Sequence, residues 1–152
     1  MKKWTAKKVR PRWDHWTFSA DLGADVPEKV LKRFDKPQSE FSIAFYEDML
    51  AQNPDDVDTM KVLAELYTQN GYYRQGLEVD RRIVAVAPRD AVANYNLACS
   101  FALTHRLDDC FRCLRRAIQL GYRDFEHMAQ DSDLAAAHDD SRWLELYGPV
   151  KT

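Results

Sequence analysis

The clearest pattern in the chain is an apolar stripe that occurs twice. Met60, Leu63, Ala64 and Tyr67 stand at i, i+3, i+4 and i+7 between polar neighbours, which predicts a half-buried helix over Val57–Gln69. Asn70-Gly71 ends it, both residues being tolerant of left-handed backbone. Tyr73–Val86 follows as an antiparallel partner with Gly76, Leu77, Ile83 and Val84 inward, the small Ala64 and Gly76 allowing the two axes to approach closely. A shift of 34 residues brings the same classes into line. Pro54 meets Pro88, Leu63 meets Leu97, Ala64 meets Ala98 and Tyr67 meets Phe101. Leu77 meets Phe111, Ile83 meets Ala117, Val84 meets Ile118 and Val86 meets Leu120. The second copy therefore predicts helices over Ala91–Thr104, burying Leu97, Ala98 and Phe101, and over Leu107–Leu120, burying Leu107, Cys110, Leu114, Ala117 and Ile118. Duplication at such a period implies stacked helical hairpins.

The flanks follow the same logic less completely. Ser39–Gln52 reads as a helix whose Phe41, Ala44, Phe45, Asp48 and Met49 mark one face, widened by Ile43, Tyr46 and Leu50, so most of its girth is expected to be covered. In register with the repeat it is a second helix whose first helix is lost or replaced by residues 1–36. Residues 1–24 have no periodicity, and Asp25-Val26-Pro27-Glu28 starts a short helix running to about Phe34. After Gly121 the period fails. Short helical pieces are expected at Phe125–Gln130, Leu134–Ala137 and Arg142–Tyr147, with Phe125, Met128, Leu134, Trp143, Leu144 and Leu146 covering the last hairpin. The predicted organisation is an arm with a short helix (1–36), a half repeat (37–56), two repeats (57–90 and 91–122) and capping helices (123–152), all in one domain.

The residues Leu63-Ala64, Tyr67, Gly76, Ile83 and Pro88, then Leu97-Ala98, Phe101, Cys110, Leu114 and Ala117, resemble the tetratricopeptide repeat pattern. Met60 and Asn94 stand in place of its Trp, Asp80 in place of an aromatic, and Tyr122 in place of the last Pro. Asp80 is accordingly expected at a looser or wetter contact. The tail resembles the closing segments of many bacterial proteins of that family. The resemblance implies an all-α, right-handed α-solenoid of about two full repeats, a half repeat and terminal caps. It also implies a concave groove that holds a protein or peptide segment. Carried over position by position, the groove residues are Asp58, Lys61, Glu65, Thr68 and Gln69, then Val92, Tyr95, Asn96, Cys99, Ala102 and Leu103. The core of that prediction is Lys61, Glu65, Gln69, Val92, Tyr95, Asn96, Cys99 and Leu103. The subclass that clamps a C-terminal carboxylate does not fit. Lys61 and Asn96 match its set, but Glu65, Glu126 and Gln130 stand where Asn, Lys and Arg are needed. The groove could instead be filled internally, the arm with Trp13, Trp16 and Phe18 being the expected filler.

Charge adds one feature. The net charge of -2 alternates along the chain: +5 over residues 1–36, -6 over 37–69, +4 over 70–123 and -5 over 124–152. Lys and Arg interleaved with Trp4, Trp13 and Trp16, together with Arg81, Arg82, Arg112, Arg115 and Arg116, keep a nucleic-acid accessory role as the alternative. Solvated helix faces account for the same charges, and no nucleic-acid motif accompanies them, so nucleic acid is not the expected partner. No stretch approaches about 18 apolar residues, and none follows the basic start, so neither a membrane span nor a secretory signal is expected. Three unpatterned Cys read as free thiols in the cytoplasm. Cys110 and Cys113 form a CxxC inside a predicted helix, where packing is the better account than zinc or redox work. Asp131-Ser132-Asp133 lacks the Gly and distal Glu of a calcium loop and reads as capping, solvated acids. The four His are scattered and no nucleophile, phosphate-loop or zincin pattern occurs. No enzyme, metal or cofactor is expected, and the oligomeric state is expected to be a monomer or weak homodimer.

Overall fold

The computed structural model describes residues 38–147. The arm, its short helix and its proposed place in the groove lie outside the described residues. Five helices form the body: α1 (Gln38–Gln52), α2 (Val57–Gln69), α3 (Tyr73–Val86), α4 (Ala91–Leu103) and α5 (Leu107–Gln119). A closing segment follows, made of α6 (Phe125–Gln130), a 3₁₀ turn at Ser132–Leu134, α7 (Ala135–His138) and a 3₁₀ stretch at Ser141–Tyr147. Among the described residues all regular structure is helical, and neighbours in sequence pack as antiparallel neighbours in space. The fold is an α-solenoid of helical hairpins.

Each helix is bounded by local chemistry. The Asp90 carboxylate accepts from the Val92 and Ala93 amides at 2.9 and 3.0 Å and caps α4. Asp124 caps α6 in the same way through the His127 amide. Helices α2, α4 and α5 end alike: a left-handed residue follows, and the next amide reaches back five residues. These bonds run from Tyr72 N to Tyr67 O (2.8 Å), Arg106 N to Phe101 O (2.8 Å) and Tyr122 N to Ala117 O (2.9 Å). Glycine occupies the left-handed place at Gly71 and Gly121, but His105 holds it in the second copy with φ 58°.

Two clusters of buried side chains run through the stack. One joins Ile43 and Leu50 of α1 to Met60, Leu63, Ala64 and Tyr67 of α2 and to Val79 and Ile83 of α3. The other joins Leu77 of α3 to α4, α5 and the closing segment, with Phe111, Leu114, Met128 and Leu134 wholly buried. Tyr67 and Phe101, the paired aromatics of the two copies, are both buried. A Cβ at Gly76 would sit 3.6 Å from the Ala64 carbonyl and 3.3 Å from Thr68 Oγ1, so the α2–α3 approach is close at the expected place.

Three expectations need correction. Asp80 is not at a wet contact: it is buried and accepts a 2.5 Å hydrogen bond from the Ser100 hydroxyl of the next hairpin. A small donor directly opposite is what lets a carboxylate take an aromatic's place. Among the described residues, helix α1 is covered on one side only. Ile43 and Leu50 are buried, but Phe41, Phe45 and Met49 are 63%, 52% and 39% exposed, because α1 meets α2 along one side. In the closing segment Met128, Leu134, Trp143 and Leu146 are buried, whereas Leu144 points away and is 78% exposed. Arg142 ties this segment down by bonding Asp108 of α5 at 2.6 Å and Asp140 at 2.8 Å while its guanidinium lies 4.5 Å over the Phe111 ring.

Candidate functional site

The expected groove residues lie on α2 and α4, the first helix of each hairpin, at positions between those of the buried stripe. Lys61, Glu65 and Gln69 of α2 are all exposed, together with Asp58. They are partly organised: Gln69 Nε2 donates to Glu65 Oε1 at 2.9 Å, and Lys61 Nζ stands 3.9 Å from the Asp90 carboxylate at the start of α4. On α4, Val92 is 53% exposed, Asn96 is exposed and Leu103 is half-buried. These residues remain open to solvent in a surface that is polar on α2 and mixed on α4.

Tyr95 and Cys99 are placed otherwise. Both are buried, and what covers them is the closing segment. The Tyr95 hydroxyl donates to Asp131 Oδ2 at 2.6 Å, and the Cys99 thiol points to the same oxygen at 3.7 Å. The Tyr95 ring stacks on Tyr122 with centroids 4.3 Å apart and planes 7° from parallel, and His127 closes the cluster at 5.8 Å. His127 Nε2 lies 3.6 Å from Asp131 Oδ2. A guest in the groove cannot touch Tyr95 or Cys99 while this cover is in place, and Ala102 is equally buried. Three of the expected α4 positions are thus covered from within, by the segment after the repeats.

Electrostatics agree with that geometry. Burial pushes the Tyr95 hydroxyl well above the usual phenol range, with the neighbouring Cys99 and Asp131 adding to the rise. Burial likewise raises the Cys99 thiol, reinforced by Asp131. Both groups therefore stay protonated and act as donors, with the Asp131 carboxylate as their shared acceptor. Cys110 is pushed up to about 12 by burial and then by Cys113, and Cys113 is raised by burial. In each case burial favours the neutral thiol over the thiolate. Among the described residues no group of three or more His, Cys, Asp or Glu is placed to hold a metal ion.

Asp131, Tyr122 and His127 were not among the expected groove residues. By sequence Asp131 reads as a solvated cap. It does cap the 3₁₀ turn, accepting from the Asp133 amide at 2.9 Å, but its other oxygen accepts from Tyr95 of α4. The available signal was Tyr122, an aromatic in the place of the expected Pro, nine residues before Asp131.

No protein-family model matches the chain, and no curated protein matches it. Among solved structures the chain is similar to MamA, a helical solenoid of the tetratricopeptide-like class. The RS-1 MamA double mutant aligns with TM-score 0.53 at 20% identity, covering 72% of this chain and 66% of that one. MamA from residue 41 onward, from Desulfovibrio magneticus RS-1, aligns with TM-score 0.53 at 19% identity, covering 75% and 69%. The chain spans about two thirds of the MamA chains it matches. At this identity the likeness concerns the fold alone: both are α-solenoids of helical hairpins. No helix among the described residues is long and apolar enough to cross a membrane.

Proposed function

We propose that this chain is a short tetratricopeptide protein that works as a non-catalytic adaptor, holding a protein segment on its concave face. The observation that carries this reading is the open part of the face. Lys61, Glu65, Gln69, Val92 and Asn96 stay exposed beside each other although the closing segment seals Tyr95 and Cys99 behind them. The exposed Val92 side chain offers an apolar contact, and the Asn96 amide offers a donor and an acceptor that suit a guest's main chain. Lys61, Glu65 and Gln69 supply selectivity through charge and hydrogen bonds. The site is shallow and short, which suits an extended segment of a few residues better than a long helix.

Affinity capture from source lysate tests this reading, comparing intact protein with a Val92→Glu, Asn96→Ala variant. Both residues are exposed, so the variant keeps the fold, and its melting curve checks that. Partners lost from the variant support the groove. An unchanged partner set refutes it.

A further inference from the structure

The outer helices carry a second surface that the concave reading leaves unused. Helices α3 and α5 turn Leu77, Val79 and Ile83, and Phe111, Leu114 and Ala117, inward. Their opposite faces present Arg81 and Arg82, then Arg115 and Arg116, all exposed. The two pairs are 34 residues apart, the repeat period, so the solenoid brings them to equivalent places on successive outer helices. Most carboxylates nearby are already committed. Asp80 is buried against Ser100, Asp108 is held by Arg142, and Asp109 is shared by Arg106 at 2.5 Å and Arg112 at 3.0 Å. Among the described residues Arg81 pairs weakly with Glu78 at 3.4 Å and lies 5.6 Å over the Phe101 ring, and Arg82 bonds the Pro54 carbonyl at 2.6 Å. Among the described residues Arg115 and Arg116 have no carboxylate partner. The last-turn position of Arg116 complements the α5 dipole, but that accounts for one arginine of four.

The patch has an edge. At the same register on α1 stand Glu47 and Asp48, so the sign of the charge reverses one repeat earlier. Beyond α5, the described part of the closing segment is again acidic, with six Asp and Glu over residues 125–147 against Arg142. A long polyanion crossing the stack would run onto carboxylates on both sides. A short anionic segment would not, and planar guanidinium forks in two rows match carboxylates spaced along a peptide.

We propose that the outer face of α3 and α5 is a second docking surface that takes an acidic segment of a partner protein. It is separate from the concave groove, so the adaptor presents two faces of different chemistry, one mixed and one cationic.

The test is fluorescence anisotropy on the full chain with three labelled probes of similar length: a Glu-rich peptide, the Lys-rich counterpart and a single-stranded oligonucleotide. Measurements are made at about 50 and about 300 mM salt. The Glu-rich peptide should bind at low salt and weaken as salt rises. An Arg115→Glu, Arg116→Glu variant should bind it about tenfold more weakly, from the loss of several exposed charge contacts. Arg89→Glu, the same charge change in the loop before α4, should bind like the parent. A matching Arg115→Gln, Arg116→Gln variant covers the case in which charge reversal harms folding, as read by its melting curve. The proposal is overturned if the Glu-rich peptide does not bind, if both variants bind it as the parent does, or if the oligonucleotide binds more tightly. The first two outcomes leave the concave reading untouched, since Val92 and Asn96 take no part.

Discussion

Asp80 is a buried carboxylate whose removal should strengthen the fold. It sits at the joint between the first and second hairpins with the Ser100 hydroxyl as its donor. Burial pushes its carboxyl up from the ordinary 3.8 to about 6, and the Ser100 hydrogen bond only partly opposes this. The folded state therefore holds the Asp80 proton more tightly than the unfolded chain does. The sign follows by linkage: the stability this group contributes is complete below its ordinary pKa, falls as pH rises through the window from about 4 to about 6, and stays low above it. A rise of about two units corresponds to about 3 kcal/mol of penalty for the charged form at neutral pH. Asp80→Asn keeps the shape and an oxygen to accept from Ser100 but carries no charge. At about pH 7.5 it should be more stable than the parent by about 1–3 kcal/mol, the lower figure allowing for an amide group that must find its own acceptor. The advantage should shrink toward zero near pH 4, where the parent's carboxyl is neutral too. Urea unfolding followed by helical circular dichroism at a series of pH values measures both quantities. An Asp80→Asn variant that is less stable at neutral pH, or whose advantage does not change with pH, would refute the reasoning.

Two further outcomes follow from single contacts. His105 holds the left-handed place that Gly71 and Gly121 occupy in the equivalent turns, so His105→Gly should raise stability by about 0.5–1 kcal/mol in the same urea assay, and a decrease would show that its side chain does more than tolerate the turn. Tyr95→Phe keeps the stack on Tyr122 but takes the 2.6 Å donor from Asp131, which should cost about 1–2 kcal/mol and raise amide exchange in α6 and the following 3₁₀ turn, with α1 and α2 unaffected.

Much of this fold is written in one dimension because its contacts are local. The expected helices at Val57–Gln69, Tyr73–Val86 and Phe125–Gln130 coincide with the observed ones, and those over residues 39–52, 91–104 and 107–120 are each off by one residue at one end. Helix faces, caps and left-handed stops all depend on residues within a few positions of one another, and a fixed period tells each hairpin where its neighbour lies. The small residues at Ala64 and Gly76 similarly announce a close approach before any coordinates exist.

What the chain alone leaves open is which of its surfaces meet at longer range. Asp80 as a letter looks misplaced; only the arrival of Ser100 from twenty residues on makes it a paired, buried acid. Phe41, Phe45 and Met49 look like core by hydrophobicity, yet their burial depends on a neighbour that periodicity cannot supply at the end of a repeat. Tyr95 and Cys99 have the positions of groove residues, and their fate turns on Asp131, a residue beyond the point where the period stops. Sequence determines the hairpins because a helix and its turn are decided by nearby backbone and side-chain chemistry. The open and closed parts of the groove are decided in three dimensions, where the closing segment folds back and one carboxylate finds two buried donors.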